Sequence, residues 1–344
     1  MTEGGFVATY KYALLHAIAD LCVENDPNAE DGSLTLTVDQ IAGKFIELYW
    51  RQTQHFPART VRGDLVLKQN AGKQAAVINT LRELHRPYQS RLPSLKDDPR
   101  AWRTAIRQVG RTVKVMPLWK LQTIGTRPVE FLYRNEPGAD RIVLFPGVAL
   151  CFRAFYGLII ELVRGGRVRF IRRHNDAVRE SLELYTFLFG SDRANLDAYL
   201  TVLADIEGTR CFYCERTIGG RPHVDHFIPW ARYPNDLGHN FVLAHDRCNG
   251  SKSDYLAAEE HLEHWAERNA SLGQQLSDAY HASRLDHDAD ASVWIARWAY
   301  GQLDSASGDV WVKDKEFRPL SPNWVGLLAA VALTRPHWSY HFLC

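Results

Sequence analysis

Four residues in two short-spaced pairs constrain this chain more than any other feature. Cys211 and Cys214 form a C-x-x-C knuckle, and His245 and Cys248 form an H-x-x-C knuckle. Each knuckle sets two soft or borderline ligands on one side of a tight turn, and two such pairs complete a tetrahedral structural zinc site. The second pair begins 31 residues after Cys214, so the clip encloses a hairpin and its loop, a longer span than a zinc finger. The alternative reading is a pair of buried thiols and a surface imidazole; the paired spacing weighs against it. A disulfide framework is weaker still. There are six Cys in 344 residues and no secretory signal peptide, which points to a reducing cytoplasm. Cys22, Cys151 and Cys344 have no spaced partner and read as buried or incidental thiols.

Between the knuckles stands Val224-Asp225-His226-Phe227, then Asn240; just after the second pair come Asn249 and Lys252. Imidazole titrates near pH ~6.5, so a neutral base is available at physiological pH. On a strand, neighbours point to opposite faces, so Asp225 and His226 serve one centre only at a strand end or bend. Pro229 follows closely and ends the strand.

With these residues in this order, residues 208–256 resemble the HNH endonuclease family, whose core is a β-hairpin followed by a helix around one catalytic metal. Asn240 lies 14 residues after His226 and Asn249 another 9 on, a spacing similar to the HNH domain of RNA-guided CRISPR nucleases. Gly250-Ser251-Lys252-Ser253-Asp254 is similar to the tail of that domain. Many zinc-containing members carry a second C-x-x-C, and here His245 stands in place of its first cysteine. The resemblance implies that Asp225 binds metal, that His226 is the general base, that Asn240 braces the histidine loop, and that Asn249 is the second protein ligand of the metal. Oxygen ligands favour Mg²⁺ or Mn²⁺. Lys252, three residues after Asn249, shares its helix side and is expected to face the phosphate.

Taken singly, each residue has a plainer role. Asp225 reads as a turn residue, Asn240 as a loop cap, Asn249 as a helix N-cap and Lys252 as a solvated charge. Their joint order around the zinc knuckles favours the chemical reading. His223 and His239 are expected to be surface residues or to stand behind the ligands.

The net charge of +1 conceals a division. Residues 1–180 hold 27 Lys/Arg against 18 Asp/Glu, whereas residues 181–344 hold 14 against 22. The densest basic block is 82–127, which includes Arg103, Arg107 and Arg111; Arg164, Arg167, Arg169, Arg172 and Arg173 form a second cluster. Such residues neutralise phosphates and release counterions, although a solvated face has the same composition. No apolar run is long enough to span a membrane.

The expected class is α+β. A ββα-metal core at 208–256 follows an N-terminal region (1–175) that is helical and then β-rich. An apolar-rich run predicts a helix over Tyr10–Val23, apolar residues at helical spacing (Ile41, Phe45, Leu48) predict one over Ile41–Trp50, and a third is expected around Gln74–Leu84. Val129–Tyr133, Arg141–Phe145 and Val168–Ile171 read as strands, with Gly165-Gly166 turning the chain before the last. Helices followed by a small sheet suggest a winged-helix-like nucleic-acid-binding or partner-binding module. Residues 176–207 read as a helical connector and 257–344 as C-terminal helices, with helix from Tyr255 to Trp265 and from Val293 to Leu303. Residues 286–291 read as an acidic loop and Trp338–Cys344 as an aromatic tail.

The expected activity is metal-dependent cleavage of nucleic acid, DNA ahead of RNA, by a cytoplasmic protein that resembles standalone HNH proteins of bacterial restriction and anti-phage systems. A non-catalytic zinc-containing binding module, and a nuclease subunit that needs a partner protein or a second copy, are the competing readings. The intact Asp225, His226, Asn249 set favours the first.

Overall fold

The computed structural model describes residues 7–27, 31–56, 66–88, 91–125, 127–190 and 196–332. The chain divides into two compact units, 1–191 and 192–344. Both combine helices with two-stranded sheets. No described helix is long and apolar enough to cross a membrane.

The first unit opens with α1 (Tyr10–Glu24), which is buried nearly all round. Strand β1 (Leu34–Thr37) leads directly into α2 (Val38–Trp50). A capping box makes that junction sharp. The Thr37 hydroxyl accepts from Gln40 N at 3.1 Å, and Gln40 Oε1 accepts from Thr37 N at 2.9 Å. Helices α3 (Ala76–His85) and α4 (Leu92–Lys96) follow, then α5 (Pro99–Val115). Asp98 caps α5 by accepting from the amides of Arg100 and Ala101. After the single turn α6 (Pro117–Lys120) come two short strands, β2 (Thr123–Ile124) and β3 (Arg127–Pro128). Strand β4 (Arg141–Leu144) returns to pair antiparallel with β1, Leu34 opposite Leu144 and Thr37 opposite Arg141. Helices α7 (Val148–Ala154), α8 (Tyr156–His174) and α9 (Leu184–Phe189) complete the described unit.

The expected order of helices followed by a small sheet is not the one observed. Of the three runs read as strands, only Arg141–Leu144 is one. Val129–Tyr133 meets β4 only through an isolated bridge of Tyr133 with Leu144, because the Gln122 amide takes several of its backbone groups: Oε1 accepts from Phe131 N and Leu132 N, and Nε2 donates to Tyr133 O. Val168–Ile171 lies inside α8. There Ile160, Val163, Arg167 and Ile171 are buried at helical spacing, so the 3.6-residue period overrides the β-branched composition. Gly166 makes a helix crossing where a turn was expected. A Cβ there would meet Tyr12 Cε1 of α1 at 2.4 Å.

The second unit starts with α10 (Leu196–Glu207). Strands β5 (His223–His226) and β6 (Phe241–Ala244) form an antiparallel pair, Asp225 opposite Val242 and His226 opposite Phe241. Helix α11 (Asp246–Lys252) follows β6 at once. Helices α12 (Glu259–Ala282) and α13 (Ala289–Ser305) come next. Tyr199 and Leu203 of α10, Phe241 and Leu243 of β6, and Leu276 and Tyr280 of α12 share one apolar cluster behind the hairpin.

The C-terminal part is not wholly helical. Strands β7 (Asp309–Lys313) and β8 (Glu316–Pro319) form a hairpin before α14 (Trp324–Ala332). That hairpin also explains why no helix starts at Tyr255. Trp311 N donates to Leu256 O and Ala258 N donates to Trp311 O, both at 2.8 Å, so residues 256–258 are held extended against β7. Asp288 caps α13, which therefore begins inside the stretch read as acidic loop. The Trp338–Cys344 tail lies outside the described residues.

The α1–α8 crossing is testable. Gly166→Ala should destabilise the protein by about 1–3 kcal/mol through overpacking against Tyr12. Gly157→Ala, in the same helix with open space around its Cβ position, should be neutral or slightly stabilising. Equal unfolding temperatures for the two variants would contradict the close crossing.

Candidate metal centre and catalytic site

The two knuckles meet. The ligand atoms of Cys211, Cys214, His245 and Cys248 all lie within 4.8 Å of one another. The first knuckle is a tight loop in which Glu215 N donates to Cys211 O and Cys211 N to Arg216 O, with Glu215 in the left-handed region at φ 57°. It is lashed to the hairpin by Phe212 N, which donates to Leu243 O of β6 at 2.7 Å. The second knuckle is the start of α11, with His245 at the N-cap and Cys248 one turn in. Cys214 Sγ lies 3.4 Å from His245 Nδ1, and His245 N donates to Cys211 Sγ at 3.4 Å. Burial and the neighbouring Cys211 push the Cys248 thiol up to about 12. Burial also opposes ionisation of Cys214, but hydrogen bonds from Arg216, Cys211 and Cys248 outweigh it and bring that thiol down to about 6. Protein groups alone thus favour ionising one of this pair at the other's expense, whereas a divalent cation stabilises every thiolate together. Three sulfurs and one imidazole suit a metal ion such as zinc.

Asp225 is buried beside this clip. Its Oδ2 accepts from the Tyr213 hydroxyl at 2.6 Å and lies 3.2 Å from Lys252 Nζ. Tyr213 stands between the two knuckle cysteines, so the clip and the carboxylate share a loop. Burial and the Asp225 charge hold the Tyr213 phenol well above its usual range, which keeps it a donor. Oδ1 has no hydrogen-bond partner among the described residues.

Lys252 corrects an expectation. It does not face outward toward a phosphate but is 0% exposed. Its ammonium bonds the Asp225 carboxylate and donates to His226 O at 2.9 Å. The helix thereby docks on the end of β5. Asn249, one turn earlier on the same side of α11, is half-buried, and its amide has no partner among the described residues.

His226 is held by a residue that sequence reasoning missed. Its Nε2 lies 2.8 Å from Asp236 Oδ1. The ring packs edge-on against Phe241 and Trp230, with centroids 4.6 and 5.5 Å away. Nδ1 has no partner among the described residues. Asp236 gave no signal because it sits ten residues after His226 in an unpatterned loop. Asn240 closes that loop. Its Oδ1 accepts from Ile228 N at 2.8 Å, its Nδ2 donates to Ile228 O at 3.0 Å, and its own carbonyl accepts from Phe227 N.

Of the two other histidines, His223 is exposed, 3.7 Å from Asp246. His239 is a core residue, fully buried with Nε2 near Gly273 O and Ser277 Oγ. Its carbonyl accepts from Trp265 Nε1, Arg268 Nη1 and Asn269 Nδ2, which pins the Asn240 turn to α12.

The basic residues lie in the first unit and divide. Arg103, Arg107 and Arg111 are exposed at four-residue spacing on α5, away from buried Ala105, Val109 and Val113. On α8, Arg169 and Arg173 are exposed, while half-buried Arg172 donates to Ser181 O at 3.0 Å. Arg167 is only 1% exposed and donates to Gln52 Oε1 at 2.7 Å, so it cannot meet a nucleic-acid backbone.

Residues 211–255 match the family model of the HNH endonuclease. Residues 5–138 match that of a Domain of unknown function (DUF8808). No curated protein and no solved structure matches the chain. The HNH match supports nuclease activity in general and implies nucleic acid as the partner.

Elemental analysis should find one zinc per chain. Metal removal by a strong chelator, or Cys214→Ala, should abolish folded structure over 208–256, because ligand binding and folding are one equilibrium in such a site. Zinc-free protein with that region still protected from proteolysis would refute the clip.

Proposed function

We propose that the protein is a metal-dependent endonuclease that hydrolyses phosphodiester bonds, with DNA as substrate. The observations that support this most are the His226–Asp236 pair and, at the preceding position of the chain, an Asp225 carboxylate with one oxygen that takes no hydrogen bond among the described residues. With Nε2–H given to Asp236, His226 Nδ1 accepts a proton from the attacking water. Asp236 then stabilises the imidazolium. Water oxygen bonds to phosphorus as the scissile P–O bond breaks, and the departing alkoxide takes a proton from solvent. Asp225 and Asn249 would hold Mg²⁺ or Mn²⁺, which would supply charge neutralisation at the scissile phosphate. Lys252 acts indirectly, by fixing Asp225, and Asn240 fixes the loop after His226.

Zinc in the clip has no share in the chemistry on this reading, since four protein ligands leave no open position. The exposed arginines of α5 supply a face for the nucleic-acid backbone in the first unit. A role in restriction or anti-phage defence belongs to the same reading, supported by the resemblance of the nuclease segment to standalone HNH proteins.

Cleavage of supercoiled plasmid with Mg²⁺ or Mn²⁺ tests the assignment. His226→Ala should lose about 10²–10⁴-fold in rate with zinc and fold retained. Asp236→Asn should lower kcat by about 10–100-fold with KM little changed, the cost of a hydrogen bond to a group charged only in the transition state. Wild-type rates in His226→Ala under saturating metal would place the chemistry elsewhere.

A further inference from the structure

The first unit buries two arginines with no carboxylate at ion-pair distance among the described residues. Arg164 and Arg167 sit one turn apart on α8, 9% and 1% exposed. Arg167 has Gln52 as its hydrogen-bond partner and lies 4.2 Å over the Tyr49 ring; its Nε and Nη1 are sealed without a partner. Arg164 makes no hydrogen bond or ion pair among the described residues, and its Nε is sealed in the same way. Both guanidinium groups face one ring, Phe189, at 5.1 and 6.0 Å from its centroid. His16 approaches that ring at 6.5 Å, and its Nδ1 is buried without a partner.

The nearby acids have closer partners, although Asp20 also attracts Arg164 through space. Lys44 takes Glu24 at 2.7 Å and Glu47 at 3.1 Å, and Lys96 also takes Glu47. Asp20 accepts from the Tyr156 hydroxyl at 2.8 Å and lies 3.8 Å from His16 Nε2. Burial raises its carboxyl to about 7. Burial and the neighbouring cations both hold His16 neutral.

A guanidinium cannot shed its proton, so a buried and unpaired one demands a counter-charge. Aromatic faces steady the cations without neutralising them. The sealed Nε and Nη1 positions are the planar donors that bind oxyanions side-on. The terminal nitrogens of Arg164 are not among the sealed atoms, which leaves an approach from solvent. We propose that Arg164, Arg167 and His16 form a binding site for a small oxyanion, a phosphate or carboxylate group. The burial of Arg167 excludes a polymer backbone as the occupant. This site is independent of the nuclease reading, since it lies in the other unit.

Thermal unfolding of the full chain tests it, with sodium phosphate, adenosine 5′-monophosphate or sodium acetate titrated against chloride at matched ionic strength. At least one should raise the unfolding temperature saturably, as a ligand of the native state does. Arg164→Gln, at the less buried of the two arginines, should weaken that binding by about tenfold or more. Arg173→Gln, at an exposed position on the same helix, should leave it intact. The strongest of the three ligands tells free phosphate, a nucleotide phosphate and a carboxylate apart. Identical titrations for wild type and Arg164→Gln, or no saturable shift with any of the three, would overturn the proposal. Should Arg164→Gln unfold in more than one step, isothermal calorimetry on the same proteins reads the loss of binding directly.

Discussion

Lys252 is the cation on which the second unit's site is built. Fully buried at the end of α11, it bonds the Asp225 carboxylate and the His226 carbonyl at once. A buried ion pair of this kind gives little net stability, but removing one partner costs about 3–5 kcal/mol because the other charge is stranded. The helix is therefore locked to β5 in one register, and the Asp225 carboxylate is held in place. Tyr213 completes the arrangement from the Cys211–Cys214 knuckle by holding the same carboxylate oxygen. One short helix thus carries Cys248 of the Cys/His cluster, Asn249 and Lys252.

The opposite wall is built by a different device. The loop from Phe227 to Asn240 is irregular, yet its ends are fixed by the Asn240 amide and by three donors on His239 O. Arg268 extends the clamp by donating to Phe241 O at 2.6 Å while pairing with Glu207. Phe227 stacks on Trp265 at 5.1 Å. This frame positions Asp236 to bond the Nε2 edge of the His226 imidazole. Chemistry-bearing side chains on loops depend on such scaffolding from neighbouring helices.

The clip is legible in the sequence because metal ligation imposes spacing, and Cys211, Cys214, His245 and Cys248 do converge. Helix α2, with its cap and apolar spacing, is legible for the same kind of reason, and α1 through its apolar-rich composition alone. Lys252 is not, because sequence shows its charge and helix face but not the depth at which the helix docks. Arg167 misleads likewise: a basic cluster does not reveal that Tyr49 and Gln52 cover one member. Asp236 carries no pattern, since a hydrogen bond across an irregular loop leaves no period to find. Residues 256–258 and 168–171 depart from expectation through tertiary contacts, a β7 pairing in one case and a helical core face in the other.

Titration of the zinc-loaded protein with Mn²⁺, followed by electron paramagnetic resonance, probes the proposed two-metal division directly. The wild type should take up one Mn²⁺ beyond its zinc. Asp225→Asn, which loses the charge but keeps the shape, should keep its zinc and lose that Mn²⁺ site. Unchanged Mn²⁺ affinity in Asp225→Asn would contradict the assignment of Asp225 as a ligand and with it the proposed catalytic centre.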